Sequence, residues 1–287
     1  MPQQTYSFIG GRSLSGSFGR VELAGKTVLL SGATGGLGRA IAVALASRRA
    51  SLVLSSRKQE ALDELAGSLP GDGHRVVVAD LAEPHAAERL ASEAGAVDVL
   101  VANAGLPGTG RLEDFSSDEL GRVLRVNLEA PIRLTHELIP AMQERGSGHL
   151  VFVSSLSGKA VSPRASLYSA TKFGLRGFSL ALREDLWKRG VGVSLVSPGF
   201  VREAGMFHDS GAKPPPGLGT TSPEEVGEAV ATAIERNRHE VEVAPALTRV
   251  LANFALWRPE IAARIAYRRG SGTKIAERVA SGQADKR

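Results

Sequence analysis

After a Gly/Ser-rich lead, this chain alternates short, β-branched apolar runs with longer stretches of helical periodicity, and that alternation leaves few folds open. Apolar runs of four to eight residues read as strands covered on both faces. Parallel strands of that kind need crossovers of a dozen or more residues, normally helices. The strand candidates are Thr27–Leu30, Ser51–Ser55, Arg75–Ala79, Val97–Ala102, His149–Val153, Val191–Val196 and Glu240–Val243. All but the last are apolar enough to be buried on both faces. Helices are expected near Gly38–Arg49, Gln59–Ser68, Pro84–Ala94, Ser117–Glu144, Ala165–Lys188 and Pro223–Asn237. Together these predict an α/β fold with a seven-stranded, mostly parallel sheet and right-handed crossovers that put helices on both faces. No internal repeat or central linker interrupts the series.

A length of 287 residues suits one large α/β domain. The absence of cysteine excludes disulfides, thiolate catalysis, iron–sulfur clusters and cysteine-ligated zinc, and no metal is expected. The lead, Met1 to Gly25, has no basic head followed by an apolar stretch and does not read as a signal peptide. No apolar run reaches the roughly 18 residues of a bilayer-spanning helix. Charge is unevenly placed: Pro245 to Arg287 holds nine Lys or Arg against three acids, a net of +6, while the whole chain carries +5. The high isoelectric point therefore belongs to the tail, and a nucleic-acid partner is not expected.

Ser222-Pro223-Glu224-Glu225 is a strong helix start, with a capping serine, proline at the first helical position and Glu225 placed for a capping box. The stretch before it, Phe200 to Thr221, contains Pro214-Pro215-Pro216 and reads as a long excursion, either a functional loop or a surface insertion.

The chemistry gathers at strand ends. The first strand runs into Ser31-Gly32-Ala33-Thr34-Gly35-Gly36-Leu37-Gly38 and then directly into an apolar helix. Glycines there let the backbone approach a pyrophosphate at the positive helix N-terminus, although such a turn also occurs as plain structure. At the end of the second strand, Ser55-Ser56-Arg57-Lys58 has no acid to bind a ribose 2′-hydroxyl. Its two cations suit a 2′-phosphate, which favours NADP(H) over NAD(H); a solvated basic loop is the alternative. Asp80-Leu81, Asn103-Ala104-Gly105 and Ser154-Ser155 close three further strands on the same edge. In Tyr168-Ser169-Ala170-Thr171-Lys172 the i, i+4 spacing puts phenol and ammonium on one helical face, where the cation is expected to lower the phenol's pKa.

Taken in order, these pieces resemble the short-chain dehydrogenase/reductase family over about residues 25–245. They are the glycine turn Ser31–Gly38, Asp80, Asn103-Ala104-Gly105, Asn127, Ser155 thirteen residues before Tyr168, Lys172 and Pro198-Gly199. The resemblance implies a Rossmann-type catalytic domain, preceded by an extension over 1–24, and hydride transfer between a nicotinamide and a carbonyl/alcohol pair. In it Tyr168 is the acid in reduction and the base in oxidation. Ser155 bonds the substrate oxygen, Lys172 holds the nicotinamide ribose and lowers the Tyr168 pKa, and Asn127 anchors a water in the proton relay. Cofactor contacts would come from Gly32, Thr34, Gly36, Leu37, Gly38, Ser56, Arg57, Lys58, Asp80, Leu81, Asn103, Ala104, Gly105, Tyr168, Lys172, Pro198, Gly199 and Val201. Two positions depart from the family pattern. Gly35 stands where many NADP-preferring members have a basic residue, leaving selectivity to Arg57 and Lys58. Glu203 replaces a threonine that usually steadies the carboxamide.

By the same resemblance, residues 200–222 are a substrate lid. Phe200, Met206, Phe207 and Leu218 would form an apolar wall, with His208 and Asp209 towards water, so a lipophilic carbonyl or alcohol is the expected substrate. The tail, 246–287, has Leu247, Val250, Leu251, Phe254 and Trp257 at mixed 3/4 spacing, then Ile261, Ile265 and Tyr267 among arginines. Such a basic amphipathic segment can lie on an anionic membrane, cover the cleft or join subunits. The expected protein is a cytoplasmic homodimer or homotetramer, with peripheral membrane contact through the tail as one option. A non-catalytic dinucleotide-binding regulator on the same scaffold is the alternative function.

Overall fold

The structure, a computed structural model, describes residues 21–269 and 271–283. Most of the expected N-terminal extension, residues 1–20, lies outside the described residues. Its last part is already built into the domain: the Val21 N–H donates to the Glu235 carbonyl at 3.0 Å, and Leu23 is buried.

Seven strands, β1 (Thr27–Ser31), β2 (Ser51–Ser56), β3 (Arg75–Val78), β4 (Val99–Ala102), β5 (Gly148–Val153), β6 (Val191–Pro198) and β7 (Glu240–Val243), form one fully parallel sheet ordered β3-β2-β1-β4-β5-β6-β7. Alternation of side chains along each strand divides the apolar residues between two faces. Val28 and Leu30 pack with helices α1 (Gly36–Ala46), α2 (Gln59–Ser68) and α8 (Pro223–Glu235). Leu29 and Phe152 pack on the other side with α3 (Ala86–Ala94), α4 (Ser117–Leu124), α5 (Ala130–Glu144) and α6 (Ser166–Leu186). This is a doubly wound, Rossmann-like α/β fold. Because β1 sits between β2 and β4, the chain reverses its direction of winding there, and a crevice opens beyond the carboxyl ends of the central strands.

Two elements differ from the sequence expectation. β3 is the edge strand, so it is not buried on both faces: Arg75 and Val78 are exposed. A strand with one hydrogen-bonding neighbour meets solvent along its free side, and its apolar run is no guide to its position in the sheet. The long helix expected over Ser117–Glu144 is divided by a π turn, Arg125–Glu129, between α4 and α5. Pro131, which lacks the N–H that would bond the Asn127 carbonyl, falls where the α-helix resumes.

Beyond β6 the chain makes a short helix, α7 (Gly205–Asp209), before α8. A reciprocal capping box starts α8: the Glu225 N–H donates to Ser222 Oγ at 3.2 Å, and the Ser222 N–H donates to Glu225 Oε2 at 2.6 Å. After β7 come α9 (Ala246–Trp257), α10 (Pro259–Arg269) and α11 (Ser271–Ser281).

Candidate active site

The turn between β1 and α1 has room only for glycine at its critical points. Gly32 adopts a left-handed φ of +66°, and a Cβ there would lie 2.7 Å from Ala104 Cα. At Gly38 a Cβ would lie 2.1 Å from the Gly32 carbonyl oxygen, so only glycine lets the helix start tight against the turn. No side chain caps α1 and no acid stands in its first turn, which leaves its positive N-terminus available to an anion. Thr34 accepts a bond on its carbonyl from Arg39 Nε at 3.4 Å.

Neighbouring strand ends complete this rim. The register pairs Ser31 with Ser55, which sets Ser56, Arg57 and Lys58 beside the glycine turn. Arg57 and Lys58 are exposed, and the buried Ser56 hydroxyl has no hydrogen-bond partner among the described residues. Asp80 Oδ1 accepts from the Ala82 N–H at 2.9 Å, a local turn at the end of β3. The Leu81 side chain is buried in the core, so only its main chain faces the rim. Asn103 braces the turn itself: its Nδ2 donates to the Ser31 and Gly32 carbonyls at 3.2 and 3.1 Å. Its neighbour Ala104 N–H donates to Ser31 Oγ at 3.2 Å. An uncapped helix start, a glycine cradle, a hydroxyl without a partner among the described residues and two exposed cations together suit a phosphate-bearing dinucleotide.

The reactive groups are held from α6 and from the loop after β5. A Cβ on Gly158 would meet the Lys172 carbonyl oxygen at 2.8 Å, which shows how closely that loop packs on α6. Ser154 Oγ donates to the same carbonyl at 3.3 Å. This packing brings Ser155 to Tyr168, and a hydrogen bond from Ser155 favours the phenolate, although burial of the phenol outweighs it and pushes Tyr168 up to about 12. Lys172 lies 5.6 Å from the Tyr168 ring centroid, and its Nζ donates to the Val153 carbonyl at 3.2 Å. Burial also disfavours its ammonium and brings Lys172 down to about 8. The expected fall in the Tyr168 pKa is therefore not found in this arrangement. Desolvation of the phenol exceeds the help that the Ser155 hydrogen bond gives its ionised form.

Asn127, on the π turn, is buried and engaged at both ends of its amide. Its Oδ1 accepts from the Leu106 N–H at 2.6 Å, and its Nδ2 donates to the Leu106 carbonyl at 2.9 Å and to Thr171 Oγ1 at 3.5 Å. It thus ties the loop after β4 to the residue preceding Lys172 and makes no direct bond to the lysine.

Above these groups lies a cavity of about 400 Å³, into which Ser155, Tyr168, Leu37, Pro198, Gly199 and Val201 face. Phe200 and Phe207, with ring centroids 4.8 Å apart, form part of its wall with Met206 and Leu218. His208 and Asp209 are on the outer side of the excursion, exposed and 3.4 Å apart. The Ala204 side chain rests on the glycine turn, since a Cβ on Gly36 would lie 2.4 Å from it. Glu203 has a left-handed φ of +69° and pairs with Arg202 at 2.9 Å, both side chains being exposed.

The tail also reaches this cavity, through Leu251 of its apolar pattern and through residues outside that pattern. Thr248, Leu251 and Ala252 of α9 and Ile275, Ala276 and Val279 of α11 line it. Gln283 Nε2 donates to the Met206 carbonyl at 2.5 Å, and Arg164 pairs with Glu277 at 2.6 Å, joining α11 to the lid and to the approach to α6. Periodicity marked the tail as amphipathic and left a membrane surface, the cleft and a second subunit all open as what it would cover. The Tyr267 side chain lies outside the described residues.

A seven-stranded parallel sheet of this winding, with a dinucleotide cradle at the β1 turn and a Ser–Tyr–Lys cluster above it, defines a nicotinamide-dependent oxidoreductase. The family model for short chain dehydrogenase matches residues 26–214, and the chain belongs to that family. The chain is 38% identical to ketoacyl reductase HetN of Nostoc sp. over 227 residues, covering 77% of this chain and 79% of that protein. It is 39% identical over 192 residues to dehydrogenase/reductase SDR family member 7B of Mus musculus, covering 63% and 59% of the two chains. A crystal structure of a short-chain dehydrogenase from Streptomyces avermitilis superimposes with a TM-score of 0.70 at 27% identity, covering 86% of this chain and 98% of that one. Members of the family bind a nicotinamide dinucleotide, and the chain is a short-chain dehydrogenase/reductase enzyme.

Proposed function

We propose that this enzyme belongs to the family's main Tyr-x-x-x-Lys group and uses NADP(H) to interconvert a carbonyl and a secondary alcohol on a lipophilic small molecule. The observation that carries the substrate class is the cavity: among its described lining residues none is charged, and the hydroxyls of Ser155 and Tyr168 face into it. A substrate with a fixed charge would be desolvated there without a partner, whereas an apolar chain ending in a carbonyl would be covered and polarised. The relative named a ketoacyl reductase points the same way, since a ketoacyl group joins a neutral carbonyl to an apolar chain.

A bound nicotinamide dinucleotide supplies or accepts the hydride. Tyr168 holds its proton across the physiological range and, in reduction, donates it to the substrate oxygen as negative charge develops there. Ser155 offers that oxygen a second hydrogen bond. Lys172, fixed by the Val153 carbonyl, keeps a positive charge beside the phenol below about pH 8. Arg57, with Lys58 and the Ser56 hydroxyl that has no partner among the described residues, would hold the 2′-phosphate. The working form in this reading is a cytoplasmic homodimer or homotetramer, consistent with exposed Leu124 on α4.

The test is parallel fluorescence titration with NADPH and NADH, followed by NADPH oxidation on ketones of increasing chain length. Tighter NADPH binding and a kcat/KM that climbs with chain length are expected. Equal affinity for both cofactors would remove the NADP assignment, and faster turnover of polyols or keto acids would remove the lipophilic substrate.

A further inference from the structure

Helix α9 is apolar on two sides. Thr248, Leu251 and Ala252 face the cavity, while Leu247, Val250 and Trp257 are 52%, 64% and 75% exposed. Leu251 belongs to both sets, since it lines the cavity and is 42% exposed, and so forms a lip between the interior and the outer surface. Helix α10 extends the outer surface with Ile261 and Ile265, 44% and 45% exposed. Across Ala246 to Arg269 the sequence carries five arginines and one acid. Arg249, Arg258 and Arg264 are exposed, and the Arg258 guanidinium stacks 4.8 Å from the Trp257 ring centroid.

A surface with this much exposed tryptophan, leucine, isoleucine and valine needs an occupant. A second copy is disfavoured, because a two-fold contact would press one net-positive face, with five arginines and one acid over Ala246 to Arg269, against another of the same charge. Aliphatic side chains and tryptophan interleaved with arginine are the composition of a helix lying in a lipid interface, with rings at headgroup depth and guanidiniums on anionic lipid. We propose that the exposed face of α9 and α10 docks on an anionic membrane surface and sets the cavity lip at Leu251 against the lipid. An apolar substrate dissolved in the bilayer could then enter without crossing water. Binding to lipid stands whether or not the enzyme turns over any substrate, whereas delivery rests on the lipophilic carbonyl reading above.

The experiment is cosedimentation of the full chain with phosphatidylcholine vesicles, with and without phosphatidylglycerol. The protein should pellet with the anionic vesicles. The Leu247→Glu/Val250→Glu/Trp257→Glu variant should lose at least roughly tenfold in vesicle affinity. Arg249→Ala/Arg258→Ala should lose roughly thirtyfold, at about 1 kcal/mol per cation. Both variants should titrate normally with NADPH, which shows that they are folded and separates a failure here from a failure of the cofactor assignment. Wild-type protein that stays in the supernatant with both vesicle types overturns the proposal, as does equal pelleting of wild type and the triple variant. So does a fall in oligomer mass for the triple variant on light scattering without vesicle binding, since a second copy would then be the occupant. Salt-sensitive capture by an acidic carrier protein, again without vesicle binding, would assign the face to a protein partner.

Discussion

Around Tyr168 four polar side chains are tied to main chain: Lys172 to Val153, Asn127 to Leu106, Asn103 to the glycine turn, Ser154 to Lys172. The cap above it, from Phe200 to Leu218 and from α9 to α11, meets the cavity mostly through apolar side chains, with few directional bonds such as that from Gln283 to Met206. The first region holds its groups through directional hydrogen bonds, as proton transfer and charge stabilisation demand. The second needs only to be apolar and of the right volume, so it can differ widely among enzymes that share the first.

The largest effect should come from the fixed region. Tyr168→Phe should lower kcat by at least roughly 10²-fold while leaving NADPH affinity unchanged, because it removes the acid and little else. Single-turnover NADPH oxidation would check it, and near-normal turnover would refute the assigned acid.

In the cap, Val279→Asp places a carboxylate on the apolar wall and should raise KM for a long-chain ketone by about 10- to 100-fold. With a short, water-soluble ketone KM should change little. If both substrates suffer equally, the cap is part of the catalytic framework and the contrast between the regions fails.

Arg57→Glu should weaken NADPH about tenfold or more, by loss of a charge-assisted bond, with NADH nearly unaffected. Titration of both cofactors against the variant decides it.

The smallest effect is with pH. Lys172 has been brought down to about 8, so it is charged below that value and loses its proton as pH rises through it. Tyr168 keeps its own proton there, having been pushed up to about 12. The rate of reduction should therefore be level below pH 8 and fall by roughly threefold or more above it, as the supporting charge disappears. Lys172→Arg should move the falling limb upward, since a guanidinium stays charged. A wild-type profile that stays level through pH 9 would show that the lysine charge is not felt at the phenol.

Much of the fold was legible because its signals are local. The apolar runs Thr27–Leu30 and Val191–Val196, which the strands Thr27–Ser31 and Val191–Pro198 extend by one and two residues, the glycine turn and the Ser222 capping box each act within a few residues. The edge position of β3 was not legible, because an apolar run says nothing about how many neighbours a strand acquires. Nor was the π turn at Arg125–Glu129, which shifts helical phase by one residue within a stretch that keeps its periodicity.

The sequence by itself determined the α/β architecture, because its apolar runs and helical periodicity are local signals, and it singled out Ser155, Tyr168 and Lys172 through the ordered family resemblance rather than through the spacing of any one pair. Only the tertiary structure decided that burial outweighs the Ser155 hydrogen bond at Tyr168, that Asn127 braces Leu106, and that α9 and α11 line the cavity. Desolvation and long-range packing depend on which distant segments meet, and residues 100 or more positions apart, such as Arg164 and Glu277, meet only when the whole chain has folded.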